Sequence, residues 1–245
     1  MGKAENRATT QKPPNKCKFS IVIPVLNEQE HINPVLEHLK TRTGSETCEI
    51  IVVDGDPAAG TINAIQNGQV IKMTADTGRA IQMNAGAAQA HGEILVFLHA
   101  DTKLPPNALE KIDRVLENPK YVAGAFNLEI DSDKLLLRYI AARARFRSRL
   151  NRIPYGDQVI FIRRQYFDKI GRFKEIPLME DVDLMRRIKK DKKKIHILKD
   201  RVTTSPRRWE RDGILYTTLR NQVLVALYYL GVSPESLAKC YWRHS

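Results

Sequence analysis

Four short, continuous apolar runs, separated by segments with helical spacing, dominate the first part of this chain of 245 residues. The runs predict strands at Phe19–Val25, Glu49–Val53, Val70–Met73 and Ile94–Leu98. Because the runs are apolar throughout rather than alternating, they fit a sheet that is buried on both faces. Strands that alternate with helices build a parallel sheet with crossover helices on its faces. The sequence therefore predicts an α/β fold with a mostly parallel central sheet flanked by helices.

Helix signals follow each of these strands. Asn27, with Glu30 three residues later, predicts a capped helix start, and Asp56–Pro57 predicts a second one. Further helices are expected at Gly78–His91, with Ile81, Ala85 and Ala88 on one face, and at Pro105–Leu116. The second half predicts strands at Tyr121–Ile130, Val159–Arg163 and Lys194–Leu198, and helices at Lys134–Leu150, Glu180–Lys190 and Gly213–Leu230, with a tail helix after Ser233–Pro234.

The N-terminal residues, the cysteines and the lengths of the apolar runs indicate in which compartment the protein works. The first 16 residues are polar, lack the apolar stretch of a secretory signal and are expected to form a disordered lead-in. Three widely spaced cysteines, Cys17, Cys48 and Cys240, form neither a disulfide framework nor a zinc pattern, so a reducing, cytoplasmic compartment is expected. No run approaches the roughly 18 apolar residues of a membrane span.

Positive charge is concentrated in the second half. From Arg138 to Arg211 the chain carries 23 Lys and Arg against 9 Asp and Glu, within a total net charge of +12. Such a block favours an anionic partner: a phosphate-bearing substrate, an anionic membrane surface or a nucleic acid. A solvated basic face without a specific partner is the alternative.

Polar side chains follow three of the first four strands, at Asn27–Glu28, Asp54–Asp56 and His99–Asp101. In such a sheet, ligands bind beyond the carboxyl ends of the strands. The chain contains neither the glycine fingerprint of dinucleotide-binding proteins nor a P-loop. An acidic pair with a divalent cation, which binds phosphate oxygens as well, is the usual substitute.

Four of these segments carry a family resemblance: VIPVLNE (Val22–Glu28), VVDGD (Val52–Asp56), FLHADT (Phe97–Thr102) and MEDVDLMRR with Glu180–Asp181. In this order and spacing, over about residues 19 to 210, the chain resembles the family 2 glycosyltransferases. The runs GRAIQMNAGAAQAHGEILVFLHADT and PRRWERDG resemble a small bacterial subgroup of that family.

The resemblance implies a Rossmann-like GT-A nucleotide-diphospho-sugar transferase fold. No linker or internal repeat divides the chain, so residues 17–245 are expected to form one GT-A domain. Its nucleotide-binding half would span residues 18–117 and its acceptor half residues 118–212, followed by C-terminal helices in residues 213–245.

On the donor side, the resemblance implies that Asp54 meets the base or ribose, beside the turn that holds Pro24, Asn27 and Glu28. Arg79 would lie near the diphosphate, where its permanent positive charge is suited to phosphate. Asn84 and Gly86 are expected to pack their helix rather than contact substrate.

Asp101 is the expected metal ligand. His99 stands where many relatives carry Asp, and is a second ligand or a phosphate contact. Imidazole ligates Mn²⁺ better than Mg²⁺. Because the role of His99 stays open, the expected divalent cation is Mn²⁺ or Mg²⁺.

On the acceptor side, Asp181 is the expected general base, with Glu180 as the neighbouring candidate, while Asp183 would face away on a helix. In-line attack by the acceptor hydroxyl would invert the anomeric carbon without a covalent intermediate. Arg208 and Trp209 would close over the diphosphate and acceptor, or Trp209 would pack. Ser205, where the family's late motif has Gln, argues against a processive synthase. The run Tyr155–Gln158 would line the acceptor side.

The C-terminal region bears on location. Apolar residues recur at helical spacing in a helix that either packs on the core or lies in a membrane interface: Leu215, Leu219, Val223, Leu227 and Leu230.

The resulting hypothesis is an inverting glycosyltransferase that uses a nucleotide-sugar donor and a small-molecule, lipid or glycan acceptor, cytoplasmic or peripheral on the inner face of the membrane. The alternative is a basic protein that binds nucleic acid or a membrane surface on a catalytically degenerate transferase fold.

Overall fold

A computed structural model describes residues 17–43 and 47–242. The lead-in expected at residues 1–16 lies outside this part of the chain. The strands are β1 (Phe19–Val25), β2 (Cys48–Asp54), β3 (Ile71–Thr74), β4 (Ile94–Phe97), β5 (Thr102–Lys103), β6 (Tyr121–Ile130), β7 (Ile160–Arg163) and β8 (Lys194–Thr204). The helices are α1 (Ile32–Arg42), α2 (Gly60–Asn63), α3 (Arg79–Gln89), α4 (Ala108–Glu117), α5 (Leu135–Asn151), α6 (Arg164–Lys169), α7 (Glu180–Lys190), α8 (Arg207–Asp212), α9 (Ile214–Tyr229) and α10 (Pro234–Trp242), with a 3₁₀ turn at Gly156–Gln158.

The eight strands form one mixed sheet in the order β3-β2-β1-β4-β7-β6-β8-β5. In the half that holds β1 to β4, neighbouring strands pair in parallel. Strand β7 pairs antiparallel with both β4 and β6, and β5 pairs antiparallel with β8. The α/β prediction is therefore confirmed, and the sheet is more mixed than expected because an apolar run does not reveal strand direction. No helix in the described residues is long and apolar enough to cross a bilayer.

The four early strands, strand β6 and helix α7 lie where the sequence predicts them. The predicted helix starts are wrong. Asn27 adopts a left-handed φ of 57° and α1 begins only at Ile32. The Asp56 carboxylate accepts the N–H of Ala58 at 3.0 Å and that of Gly60 at 3.4 Å, so it caps the turn that leads into α2, which begins only at Gly60. The sequence patterns did not indicate β5, α6 or α8, which are short elements of two to six residues.

Helix α3 packs on the sheet through a different face from the predicted one. Its buried positions are Ala80, Gln82, Met83, Gly86 and Ala87, whereas Ala88 is exposed. A side chain at Gly86 would place its Cβ 2.5 Å from a methyl group of Val22 and 3.0 Å from one of Val53. Close approach of the helix to β1 and β2 therefore requires glycine at this position, which confirms that Gly86 has a packing role.

We predict that Gly86→Ala lowers the free energy of unfolding by about 1–3 kcal/mol, because the added methyl group overpacks the interface between α3 and the sheet. Urea denaturation followed by circular dichroism measures this change. Gly68→Ala is the matched control, since a Cβ at Gly68 would meet nothing within 4 Å. Equal stability of the two variants would show that the α3 interface has room for a side chain.

Candidate active site

Several of the predicted site residues lie together near the carboxyl ends of β1, β2 and β4. The start of α3 brings Arg79 to this edge, and the start of α7 brings Glu180 and Asp181. The loop after β4 carries His99 and Asp101. These charged and polar groups therefore share one region although the chain separates them by up to about a hundred residues.

Asp181 lies in the first turn of α7 and is held by two backbone donors. Its Oδ2 accepts the N–H of Gly156 at 2.6 Å, and its Oδ1 accepts the N–H of Val182 at 2.7 Å. A Cβ at Gly156 would lie 3.0 Å from the ring of His99 and 3.5 Å from Asp181 Oδ2. The imidazole and the carboxylate therefore face the same small space, which the missing side chain of Gly156 leaves open.

Glu180 is paired with Arg79 rather than free. The distance from Arg79 Nη1 to Glu180 Oε1 is 3.2 Å, and the Glu180 side chain is only 3% exposed. Burial raises the pKa of Glu180 in spite of the neighbouring guanidinium, and the carboxylate in turn raises the pKa of Arg79. Because this carboxylate is buried and occupied by an ion pair, Asp181 is the more accessible of the two acids. Asp183 pairs with Arg187 at 2.7 Å, four residues along the same helix.

The donor set around Asp101 suits a divalent cation that is completed by phosphate. Burial, helped by the charge of Arg79, lowers the pKa of His99 to about 4, so its imidazole is neutral at pH 7 and able to ligate a metal. Asp101 Oδ1 accepts the hydroxyl of Thr102 at 3.1 Å. Among the described residues, no three His, Cys, Asp or Glu side chains form a closed metal cage. One or two protein ligands with substrate phosphates is the pattern typical of Mg²⁺ sites.

Asp157 is a functional candidate that the sequence analysis did not single out within the run Tyr155–Gln158. Its Oδ1 is buried and has no hydrogen-bond partner among the described residues. Burial raises the pKa of Asp157 to about 6, and the charges of Asp181 and Asp101 add to this effect while Arg147 opposes it. A carboxyl group with a buried, unpartnered oxygen near two other carboxylates is a costly arrangement that is typical of binding sites.

Asp54 has a different position from the one that the resemblance implies. It is fully buried, and its oxygens accept the N–H groups of Asp56 at 3.0 Å, Thr61 at 2.9 Å and Ile62 at 3.2 Å. A carboxylate engaged in this way orders the segment after β2 and has no free face for a base or ribose. The expected direct contact of Asp54 with the nucleotide is therefore not supported by this geometry.

The turn after β1 is tied to α8. Glu28 donates its N–H to the hydroxyl of Thr61 at 3.1 Å, and its carboxylate pairs with Arg207 at 3.3 Å. Pro24 lies within β1, and Asn27 makes the left-handed bend that follows this strand. The turn therefore lies at the carboxyl end of β1, and Arg207 is a further residue in contact with it.

Trp209 packs rather than closing over the site. It contacts the small cluster of Ile130, Leu137 and Ala141. Its neighbour Arg208 is exposed, and its positive charge is one of the influences that lower the pKa of His99. Of the two residues expected to cover the diphosphate, Arg208 is exposed, whereas Trp209 is partly buried in this cluster.

A cavity opens directly on the acidic pair of α7. Besides Glu180 and Asp181 it is lined by Arg79, by Tyr155 and by residues of the C-terminal helices, namely Asn221, Leu224, Val225 and Tyr241. The wall opposite the acids therefore comes from α9 and α10. Sequence patterns had not connected these helices with the site.

Comparison with known proteins gives one family match and several curated relatives. The family model for Glycosyl transferase family 2 matches residues 20–176, more than half of the chain. The dolichol-phosphate mannosyltransferase of Pyrococcus furiosus is 27% identical over 112 residues, 43% of this chain and 32% of the relative. The undecaprenyl-phosphate 4-deoxy-4-formamido-L-arabinose transferase of Serratia proteamaculans is 31% identical over 117 residues, 44% of this chain and 36% of the relative. The chain thus spans about a third of the length of these two curated relatives.

Solved structures share the fold at low sequence identity. The mannosyltransferase PcManGT from Pyrobaculum calidifontis, in complex with GDP-Man and Mn²⁺, gives a TM-score of 0.58 at 17% identity, covering 78% of this chain and 57% of that one. TarS residues 1–349 from S. aureus gives 0.60 at 16% identity, covering 90% of this chain and 68% of that one. Both likenesses support the GT-A fold.

We predict that Asp157→Asn raises the melting temperature of the metal-free protein by about 2–4 °C at pH 7.5. The folded-state pKa of about 6 exceeds the ordinary value of 3.8, so the wild-type protein loses stability as pH rises from about 4 to 6. The amide of the variant carries no such charge, so the difference in melting temperature between variant and wild type should shrink to nothing below pH 4. Differential scanning fluorimetry with chelator, across pH 4–8, measures this difference.

Asp168→Asn is the control for this prediction. Asp168 carries an exposed carboxylate that pairs with Arg172 at 2.8 Å, and its loss should change the melting temperature little at any pH. A lower melting temperature for Asp157→Asn at pH 7.5 would mean that the carboxylate is stabilised in the folded protein, contrary to the geometry.

Proposed function

Because the chain belongs to glycosyl transferase family 2, we propose that it transfers a sugar from a nucleotide-diphosphate donor to an acceptor oxygen, with inversion at the anomeric carbon. The observation that carries the proposal is the meeting of Asp181, His99 and Gly156 in one space at the end of β4. In-line displacement needs a carboxylate, here Asp181, on one side of the reacting carbon and a phosphate-binding group, here His99, on the other.

The donor diphosphate would lie between Arg79, Arg208 and the loop that carries His99 and Asp101. Asp101 and the neutral imidazole of His99 would hold a divalent cation, which stabilises the charge that grows on the leaving diphosphate. Arg79 contributes a fixed positive charge at the same edge, held in place by Glu180 at 3.2 Å. Support for a metal also comes from the PcManGT structure, which contains GDP-Man and Mn²⁺.

Asp181 would act as the general base toward an acceptor hydroxyl. Its carboxylate is fixed by Gly156 and Val182, so one lone pair of Oδ2 or Oδ1 remains to accept the proton during attack. Glu180 is committed to Arg79 and serves as a positioning residue. The base and the leaving group stand on opposite sides of the reacting carbon, which gives inversion and requires no covalent intermediate.

A lipid phosphate is a second candidate acceptor. The names of the dolichol-phosphate and undecaprenyl-phosphate relatives support it. A phosphate oxygen is already ionised near neutral pH and does not need a base to become nucleophilic. The two acceptors therefore differ in how much they depend on Asp181.

We predict that Asp181→Asn lowers the transfer rate to a hydroxyl acceptor by roughly 10²–10⁴-fold, since proton abstraction is lost. The donor KM should change little because the amide keeps the size of the carboxylate. The transfer rate and the donor KM are measured from the release of nucleoside diphosphate from GDP-mannose or UDP-glucose, with farnesol or farnesyl phosphate as the acceptor. A large loss with farnesol and a small loss with farnesyl phosphate would show that Asp181 acts by removing the acceptor proton, and the acceptor with the higher kcat/KM in the wild-type protein would be assigned as the natural class.

Asp183→Asn is the matched control, since its carboxylate lies on the same helix and pairs with Arg187 away from the cavity. Its rate should stay close to that of the wild-type protein. Equal rates for Asp181→Asn and wild type with both acceptors would exclude Asp181 as the base.

We predict that one nucleoside diphosphate, in the presence of Mn²⁺ or Mg²⁺, stabilises the fold by about 2.7 kcal/mol at a concentration of about 100 times its dissociation constant. The shift should disappear with chelator and in Asp101→Asn, because the cation joins Asp101 to the phosphates. A fluorimetric panel of UDP, GDP, dTDP and CDP measures it. No shift with any of the four, for folded protein, would overturn the donor site.

A further inference from the structure

Helix α9 has an apolar face that nothing in the described part of the chain covers. Leu215 is 72% exposed, Leu219 is 64% exposed, and Leu230, directly after the helix, is 81% exposed. At 3.6 residues per turn these positions lie on one side of the helix. The same stripe contains Tyr216, Val223, Ala226 and Tyr229, with Gln222 as its polar member. Most of the predicted apolar face of this helix therefore points outward, while Leu224 on the opposite side is buried in the core and Leu227 packs against that core.

Helix α5 repeats the pattern. Leu135, Phe146 and Leu150 are 79%, 69% and 74% exposed, and Tyr139 is 59% exposed. The spacing of four, seven and four residues places these side chains on one helical stripe. Three exposed arginines accompany the stripe: Arg138, Arg143 and Arg149.

The two stripes lie on neighbouring helices. The inner face of α5, through Leu137 and Ala141, packs with Trp209 and with Ile214 at the start of α9. We use the name α5–α9 surface for the exposed side chains of these two helices together with Leu230. Of thirteen exposed large hydrophobic residues in the described part of the chain, eleven belong to this surface. A cluster of this kind marks an interaction site.

Charge identifies the class of partner. Neither α5 nor α9 contains Asp or Glu. Of the acidic residues nearby, Glu210 pairs with Lys134 at 2.9 Å and Asp212 pairs with Arg211 at 2.7 Å. The surface therefore presents apolar side chains with an excess of positive charge. An anionic lipid headgroup layer suits both the apolar side chains and the arginines. Leucine and aromatic side chains enter the acyl boundary, while arginine contacts the lipid phosphate.

A second copy of the chain fits the same surface less well. A symmetric dimer brings the same patch of each subunit together, so the arginines of α5 would face one another without acidic partners. The charge distribution thus favours lipid over self-association.

The opposite side of α9 links this surface to the candidate active site. Asn221, Leu224 and Val225 line the cavity that also contains Glu180 and Asp181. One helix therefore separates the acidic pair from the exposed apolar stripe. A group emerging from a bilayer next to α9 would have a short path to the cavity.

We infer that the α5–α9 surface docks peripherally in the interface of an anionic lipid bilayer and brings the cavity to the membrane surface, where a lipid-linked acceptor is presented. The part concerning the acceptor rests on the proposed function. The docking itself follows from the exposed stripes and their charge.

Vesicle flotation of the full chain without any donor tests the docking. The protein should float with vesicles of 30% phosphatidylglycerol in phosphatidylcholine and should bind pure phosphatidylcholine at least tenfold more weakly. Binding to the anionic vesicles should weaken as salt is raised from 50 to 500 mM, because the arginine contacts are screened.

Two double variants test the apolar and the electrostatic contributions to membrane binding separately. Leu215→Gln/Leu219→Gln removes part of the apolar stripe, and Arg143→Gln/Arg149→Gln removes part of the charge. Each should lower the partition coefficient on anionic vesicles by roughly tenfold or more. All four positions are exposed, so the melting temperatures should stay close to that of the wild-type protein.

Matched substitutions elsewhere serve as controls. Ile71→Gln changes an exposed apolar residue on β3, and Lys190→Gln/Lys193→Gln removes two exposed charges at the end of α7. Both should float like the wild-type protein. If the lysine variant lost binding as strongly as the arginine variant, general net charge rather than this surface would account for adsorption.

Two further results would overturn the inference. One is an absence of flotation with folded wild-type protein. The other is a dimer in light scattering without lipid that Leu215→Gln/Leu219→Gln converts to monomer, which would assign the surface to self-association. Asp181→Asn should float normally, so failure of the proposed chemistry and failure of the docking are separable.

Discussion

The site depends on the antiparallel pairing of β7 with β4. In this register Ile160, the first residue of β7, pairs with Phe97, the last residue of β4. The segment just before β7 is thereby brought to the carboxyl end of β4, the edge at which His99 and Asp101 emerge. A parallel β7 would have carried the same segment to the opposite edge of the sheet. The hydrogen bond from Gly156 to Asp181 exists only because the strand runs in this direction.

Once the elements are held in this way, acidic groups crowd a small space. Asp181, Asp157 and Glu180 lie near one another, and burial raises the pKa of the latter two. Arg79 offsets part of the repulsion through its contact with Glu180. The remaining repulsion lowers the stability of the ligand-free protein, and a bound cation with a diphosphate would reduce this repulsion. Such conflicts between stability and local charge are characteristic of functional sites.

Helix α9 connects the chemistry with the molecular surface. Its inward residues form a wall of the cavity, while its outward residues remain exposed and apolar. A helix that is apolar nearly all round normally lies in a core. Here only the side that carries Leu224 packs against the core, and α9 otherwise touches chiefly α8, α10 and α5.

The sequence by itself determined the α/β class, the four early strands, the bounds of β6 and α7, and the family. These follow from local patterns, since an apolar run or a 3.6-residue period is written in neighbouring residues. Helix starts were predicted wrongly at Asn27 and Asp56, where backbone turns compete with caps for the same side chains. Tertiary structure alone decided the direction of β7, the burial of Asp54, the exposure of α9 and the place of Asp157 beside Asp181. Each of these depends on contacts between segments far apart in the chain, and no local pattern of residues records such contacts.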